Sequence, residues 1–566
     1  MTRLLEKPIL VVSVLVLICG YLFFFQSGRL ALTDPDETFY AQTAKEMLAR
    51  GEWTTPYLYG KPQFEKPILF YWLVEASFKM FGVNEFAARF PSAVFGTIGV
   101  VAVYLLGGLL FSRRAGFFAA LIMATSVEYI ILSRACITDM VLNTFLVLSI
   151  LFFFYGSIRA KGHFYILSAA AIGFATLTKG PIAIFLFGAA VILYLLFTGD
   201  IKAIKRIPLW QAALVFIVVT APWYLTIYRL HGKDFMEMFF GFHNVTRFIV
   251  SEHKIGSQVY YNIPIILGGF FPWSVFLPFG FWHIFKKIAS RQSPWPAANK
   301  GQDRPVASEK KNSIFILVWF SIIFLFFTAS STKLPTYIFP CFTSLAIIVA
   351  VLLDDFLKAG AEKAVVLGVR FSYYLLMAAV ILGWAGAAIY AKIDYPDILS
   401  GIIISGLFLI FGMMLSLAAF VKKRFMMAFF LIVYAVAIFL YPASQLMLSD
   451  IERYETSKEV SGKLLALMKP GEKLGAESNY LPGLAFYTDK FPVNLDQHHF
   501  QLQLMNSRER VWAVMKEKNH IHLYDPKITK TYVKPSYIVY KAGKRAVITN
   551  AIPEDGKYLL KRERPQ

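Results

Sequence analysis

TDPDETFYAQTAKEMLARGEWTTPYLYGKPQFEKPILFYW, residues 33–72, is the stretch whose reading decides the fold. It follows an apolar run at 8–26 and gathers charge in a chain that otherwise avoids it. Asp36 is suited to cap a helix starting at Glu37. Gln42, Lys45, Glu46 and Arg50 then share a polar side, and Phe39, Tyr40, Met47 and Leu48 an apolar one. Pro56, Pro62 and Pro67 punctuate the second half of the stretch, and Pro67 suits the first position of a second short helix. The segment therefore reads as two amphipathic helices lying on a membrane surface, with carboxylates and Lys66 at their ends. A solvated loop with a capping box is the alternative reading of the same residues.

Outward from this stretch the chain is strongly apolar. Hydrophobic residues make up 57% of the 566 and charged residues 16%, the profile of a polytopic membrane protein rather than a soluble enzyme. The 8–26 run is too long for a signal-peptide core and reads as a retained helix. Further runs lie near 90–111, 116–133, 138–157, 164–178, 182–197, 208–227, 262–284, 313–329, 335–353, 368–389, 399–421 and 425–442. They give about 13 spans, each near the ~20 residues a bilayer requires. Thr178-Lys179-Gly180-Pro181 is a tight turn dividing two of them.

Positive charge orients the spans. With the N-terminus in the cytoplasm, the cytoplasmic loops carry Arg113-Arg114, Lys205-Arg206, Lys286-Lys287 and Lys422-Lys423-Arg424. The opposite short loops carry little more than Arg134, Lys179, Lys333 and Lys392, which follows the positive-inside rule. Segments 27–89 and 228–261, and the tail from 443, then lie on the far side. The tail alternates helix-like stretches (457–468, 498–517) with strand-like ones (473–477, 536–541, 545–549) and reads as a small α/β domain. Domains are thus 1–442 in the membrane and 443–566 outside it.

The net charge of +21 is scattered between spans, which argues against nucleic acid; it suits anionic lipid or phosphorylated substrates and equally suits ordinary topogenic charge. Cys19, Cys136 and Cys341 form neither a metal spacing nor a disulfide framework. No Walker loop, Rossmann fingerprint or GxSxG elbow is present, which argues against a nucleotide-using catalyst and fits a lipid-linked donor better.

The unusual polar groups all fall on the far face. They are Asp36, Glu37, Glu65 and Lys66 from the first loop, Arg134 and Asp139 around one turn, and Lys179 in the tight turn. His243, Arg247, Glu252 and His253 lie in the 228–261 loop, and Lys333 and Tyr337 open a later span. Charge near a membrane boundary is costly unless paired or functional, so their convergence points to a site there. A carboxylate such as Asp36 or Asp139 can act as a base or steady an oxocarbenium ion, while lysine and arginine hold a phosphate. Transfer of a sugar from a lipid phosphate and passage of an anionic headgroup, as in a flippase, both fit. Glu65, His243 and His253 with Glu252 have the chemistry of zinc ligands, without a recognised spacing.

Asp36-Glu37 with Tyr40, then Phe64-Glu65-Lys66-Pro67 with Tyr71-Trp72, resembles the bacterial aminoarabinose transferases that modify lipid A. These sit among the GT-C glycosyltransferases, with the protein O-mannosyltransferases. Arg134 with Thr138-Asp139, Thr178-Lys179-Gly180-Pro181, His243-Asn244 with Arg247-Phe248, and Lys333-Leu334-Pro335-Thr336-Tyr337 extend the likeness over roughly residues 1–350. The resemblance implies an all-α GT-C membrane enzyme of the bacterial inner membrane with an active site and an α/β domain in the periplasm. It would move 4-amino-4-deoxy-L-arabinose, or a related sugar, from undecaprenyl phosphate to a lipid A phosphate, with polymyxin resistance as the outcome. Asp36 would be the principal catalytic carboxylate and Asp139 a second acid. Lys66 would hold the carrier phosphate, with Arg247, Lys333 and Tyr337. Glu37, Tyr40 and Arg134 would help bind substrate, and Glu65 with His243 would hold a metal. A protein or glycan acceptor is the alternative within enzymes. Two positions depart from the family: Phe39 stands where an arginine is usual, and Gln63 where a tyrosine is.

Overall fold

A computed structural model describes residues 6–246, 258–290, 309–358, 360–529, 531–553 and 556–563. Each apolar run falls in helix, because a segment surrounded by lipid must satisfy its backbone internally. Among the described residues eight helices are long and apolar enough to cross a bilayer, or ten if two bent pairs each count as one span. Arg113–Ala124 bends by 67° into Val127–Ser133, and Val259–Gly269 by 112° into Trp273–Ala289. Pro8–Phe24 and Ile182–Thr198 are shorter apolar helices. The count of about 13 rests on run length alone, which registers neither a bend nor a short helix. At 178–181 the chain does turn: Gly180, at φ +84°, separates Gly162–Lys179 from Ile182–Thr198. Small residues let neighbouring helices close up. A Cβ on Gly107 would sit 2.8 Å from the Gly116 backbone, so Glu85–Leu110 and Arg113–Ala124 pack in near contact there.

The tail forms a six-stranded mixed sheet. Its order is Val493–Asn494, Lys473–Ala476, Val511–Lys516, Arg545–Thr549, Ser536–Ala542, Leu560–Arg562, parallel across the first three strands and antiparallel beyond. The 498–517 stretch, expected to be one helix, splits into helix His498–Met505 and strand Val511–Lys516. That strand is apolar on both faces. Val511, Ala513 and Met515 enter one core with Ile538 and Ile548, and Trp512 and Val514 enter another with Val460 and Val547. A run buried on both sides lacks the alternation that marks a strand in sequence.

Helices do form at Asp36–Arg50 and Leu69–Phe81, the second starting two residues after Pro67. The first does not lie on a membrane surface with one wet side. Its polar side is buried too, Gln42 and Glu46 included, because helix Leu481–Thr488 of the tail packs against it. Glu46 accepts from the Tyr59 and Gly60 amides at 2.8 and 2.9 Å, fixing the hairpin Tyr57–Leu58/Lys61–Pro62. Lys45 pairs with Asp489 at 2.6 Å and donates to the Phe486 carbonyl at 2.7 Å. Asp34 accepts from Ser457 and faces Arg545 at 3.5 Å, and a Cβ on Gly483 would collide with its carboxylate. The helix is thus sandwiched between the bundle and the α/β unit.

Candidate active site

Asp36 is the first residue of its helix, not the cap. Pro35 occupies the cap position and no side chain bonds there, while Thr38 donates to Asp34 at 3.0 Å. The expected capping by Asp36 is therefore corrected, and its carboxylate is left exposed, with no ion pair among the described residues. Desolvation by the surrounding protein raises its pKa, and the charges of Asp139, Glu65 and Glu37 raise it further against the opposing pull of Lys66. Those causes also show which groups stand around it.

Glu37, next in sequence, has the opposite fate. It is 3% exposed and receives two bonds from Arg89, at 2.7 and 2.8 Å. The Cys136 and Thr33 amides add bonds at 2.8 and 3.0 Å. Burial pushes its pKa up, but Arg89 prevails and holds it below the usual carboxylate range. Arg89 spends its remaining donors on the carbonyls of Ser27, Leu30 and Ala31, at 2.7 to 2.8 Å. Glu37 is therefore a buried anchor for the loop rather than a substrate contact, which corrects its expected role. Sequence reasoning misses Arg89, although a cation at the edge of an apolar run is a signal.

Two ion pairs flank Asp36. Lys66 lies 3.1 Å from Glu65, with Gln63 bracing the turn between the Glu65 amide and the Tyr71 hydroxyl. Lys179 lies 2.6 Å from Asp139, and its ammonium stands over the Tyr337 ring at 4.9 Å from the centroid. Lys333, 4% exposed, precedes that run, and burial lowers its pKa. Tyr40 is buried against Phe70 and Tyr71, ring centroids 5.4 and 6.0 Å away, so its place is in the floor. Arg134 points elsewhere, donating to the Leu22 and Phe25 carbonyls at 3.1 and 2.8 Å where the first helix ends. Its expected substrate contact gives way to closing orphan carbonyls at that helix end. Arg247, Glu252 and His253, and the side chain of His243, lie outside the described residues.

The expected zinc site is not supplied by the described residues. Among them no three His, Cys, Asp or Glu side chains gather as a metal site, and Glu65 is engaged by Lys66.

Charge at the other end of the bundle is different in kind. Arg114 pairs with Asp354, and Asp355 takes Lys287 and His283, each at 2.7 Å. Tyr337 and Asp354 stand at opposite ends of Pro335–Phe356, roughly 25 Å apart at 1.5 Å per residue. The Asp36 cluster and this network are thus separated by about a bilayer core.

The family model for dolichyl-phosphate-mannose-protein mannosyltransferase matches residues 65–225. A crystal structure of ArnT from Cupriavidus metallidurans bound to undecaprenyl phosphate shares the fold. Its TM-score is 0.77 over 95% of this chain and 98% of that one, at 21% identity. An undecaprenyl phosphate-alpha-4-amino-4-deoxy-L-arabinose arabinosyl transferase of Aeromonas hydrophila is 30% identical over 61% of this chain, which spans 60% of that relative's length. An uncharacterized protein of Aquifex aeolicus is 29% identical over 86% of this chain and 87% of its own. The chain is thus similar to aminoarabinose transferases over about three fifths of its length and shares the fold of ArnT. The resemblance read from the motifs around Asp36 and Lys66 is borne out.

The raised pKa of Asp36 carries an expected result for any activity that uses its ionised carboxylate. With the ionised carboxylate as the working form, kcat/KM is expected to fall as pH is lowered through that raised pKa. The acid limb then lies above the usual aspartate value of about 4. A pH series on the full-length protein in proteoliposomes measures this. Asp139→Asn removes one of the repelling charges and is expected to move the limb back down.

Proposed function

We propose that this glycosyltransferase moves 4-amino-4-deoxy-L-arabinose, or a related amino sugar, from undecaprenyl phosphate to a phosphate of lipid A. The observation that carries the reading is an exposed carboxylate, Asp36, between two lysine–carboxylate pairs at one end of a lipid-embedded bundle. The name of the Aeromonas relative and the ligand of the ArnT crystal structure support the donor. The site lies in the periplasm in this reading. In it about 13 spans run from a cytoplasmic N-terminus, an orientation that the charge bias of the short loops supports. Residues 1–442 form the catalytic membrane domain and 443–566 the periplasmic α/β domain.

In the reaction an oxygen of the acceptor phosphate attacks the anomeric carbon as the bond to the carrier phosphate breaks. The bonding pair leaves with the undecaprenyl phosphate, and the configuration inverts. A phosphate monoester is already largely ionised near neutral pH, so no base is required to activate it. The work left to the protein is placement and charge. Lys66, with Arg247, Lys333 and Tyr337, holds the carrier phosphate and stabilises it on departure. Asp36 faces the positive charge that develops at the anomeric carbon, and Asp139, held by Lys179, sets the field beside it.

The test is transfer by the full-length protein in proteoliposomes holding labelled undecaprenyl phosphate-aminoarabinose and lipid A, read by mass spectrometry. Lipid A gaining one aminopentose per modified phosphate is the expected result. Label moving to a protein or glycan instead would overturn the acceptor assignment. Donor crossing the bilayer unchanged would replace transfer by transport. In cells, the added ammonium groups are expected to weaken binding of cationic polymyxin to the outer surface.

A further inference from the structure

Glu128 lies inside the apolar 116–133 run, early in helix Val127–Ser133 and just past the 67° bend. It is 7% exposed, and neither carboxylate oxygen has a hydrogen-bond partner among the described residues. Nor does a lysine, arginine or histidine among them pair with it. A Cβ on Gly269 would collide with Glu128 Oε2 and come within 3.1 Å of the Phe342 ring, so the carboxylate fills space that only a glycine leaves open. Asp139, on the wall of the site, is near enough for its charge to act on Glu128, and Glu128 is near enough to act on Tyr261.

An unpaired carboxylate buried in a membrane bundle is expensive, and such groups mark function rather than packing. The other buried acids around the site are matched. Glu37 has Arg89 at 2.7 Å and Asp139 has Lys179 at 2.6 Å. Glu128 is left as an acid without its cation. Gly269 and Phe342 give it a small apolar setting in which one charge contact is worth far more than in water. A divalent metal is a poor occupant, because the described residues offer no second and third ligand.

We propose that Glu128 receives the ammonium group of the donor's amino sugar and so makes this site select a cationic sugar over a neutral one. This rests on the donor class proposed above. Aligning the amine toward Glu128 turns the sugar within the site, and a neutral or acylated sugar leaves the carboxylate buried without a partner. Discrimination of that kind comes from the penalty on the wrong ligand as much as from the bond to the right one.

The experiment compares undecaprenyl phosphate-aminoarabinose with its N-acetylated analogue, using full-length protein in nanodiscs. The wild type is expected to favour the free amine by about 10- to 100-fold in kcat/KM, the scale of a hydrogen bond to a charged group. Glu128→Gln keeps the shape and removes the charge. It is expected to collapse the preference to within about threefold, chiefly by raising KM for the free amine, with thermal stability undiminished. Glu128→Asp is expected to keep part of the preference. An unchanged preference in Glu128→Gln would overturn the assignment. If the wild type transfers neither sugar, the donor reading has failed on its own. Equilibrium binding of the two lipids then decides Glu128: discrimination lost in Glu128→Gln supports it, and equal discrimination in both proteins overturns it.

Discussion

Asp36→Asn is expected to lower sugar transfer by about 10³-fold or more while leaving a folded protein in the membrane, the scale seen when a preorganised catalytic charge is removed. The reason lies in the surroundings of the carboxylate. Asp36 is exposed, caps nothing and carries no ion pair among the described residues, so the fold does not depend on it. Its charge is opposed by Asp139, Glu65 and Glu37. Neutralising it relieves that repulsion, and the thermal midpoint of Asp36→Asn is expected to equal or exceed that of the wild type. Stability kept or gained while activity is lost is the mark of a functional charge held at a structural cost. The measurement is initial rate with labelled donor in proteoliposomes, beside thermal unfolding of the same sample. Transfer within tenfold of wild type would remove Asp36 from the mechanism.

The largest effect on stability is expected one residue away. Arg89→Leu strands Glu37 in a buried site and leaves three loop carbonyls without their donor, which is expected to cost about 3–5 kcal/mol. The full-length protein should then accumulate poorly and unfold early in detergent. Combining Arg89→Leu with Glu37→Leu removes the uncompensated charge and is expected to recover a substantial part of the loss. Unfolding of the two single variants and the double variant closes the cycle. If the double variant is as unstable as the sum of the singles, the pair is not coupled as its geometry implies.

Much of this molecule is legible in the amino-acid chain itself. Apolar runs announce the helices because lipid leaves the backbone no other option, and Gly180 at positive φ marks a real break. Asp36, Lys66 and Asp139 stand out because charge is rare in this composition. The features that escape such a reading are decided by distant partners. The polar side of Asp36–Arg50 looks solvated in sequence, yet it is covered by residues more than 400 positions later. Arg134 and Glu37 look like binding groups until the carbonyls and the guanidinium they meet are in place. The bends at 125–126 and 270–272 leave no trace in hydropathy, since both sides of each bend are equally apolar. Strand Val511–Lys516 passes for helix for the related reason that a segment buried on both faces shows no alternation.

The seam between Asp34 and Ser457 joins groups 423 positions apart. A ribosome adding about 5–20 residues per second needs roughly 20 to 85 s to travel that distance. Throughout that interval the Asp36 helix lacks the tail residues that meet its polar side, Phe486 and Asp489 on Lys45 among them. The cover over the polar side of Asp36–Arg50 therefore arrives only as synthesis nears its finish, and an interrupted chain lacks it.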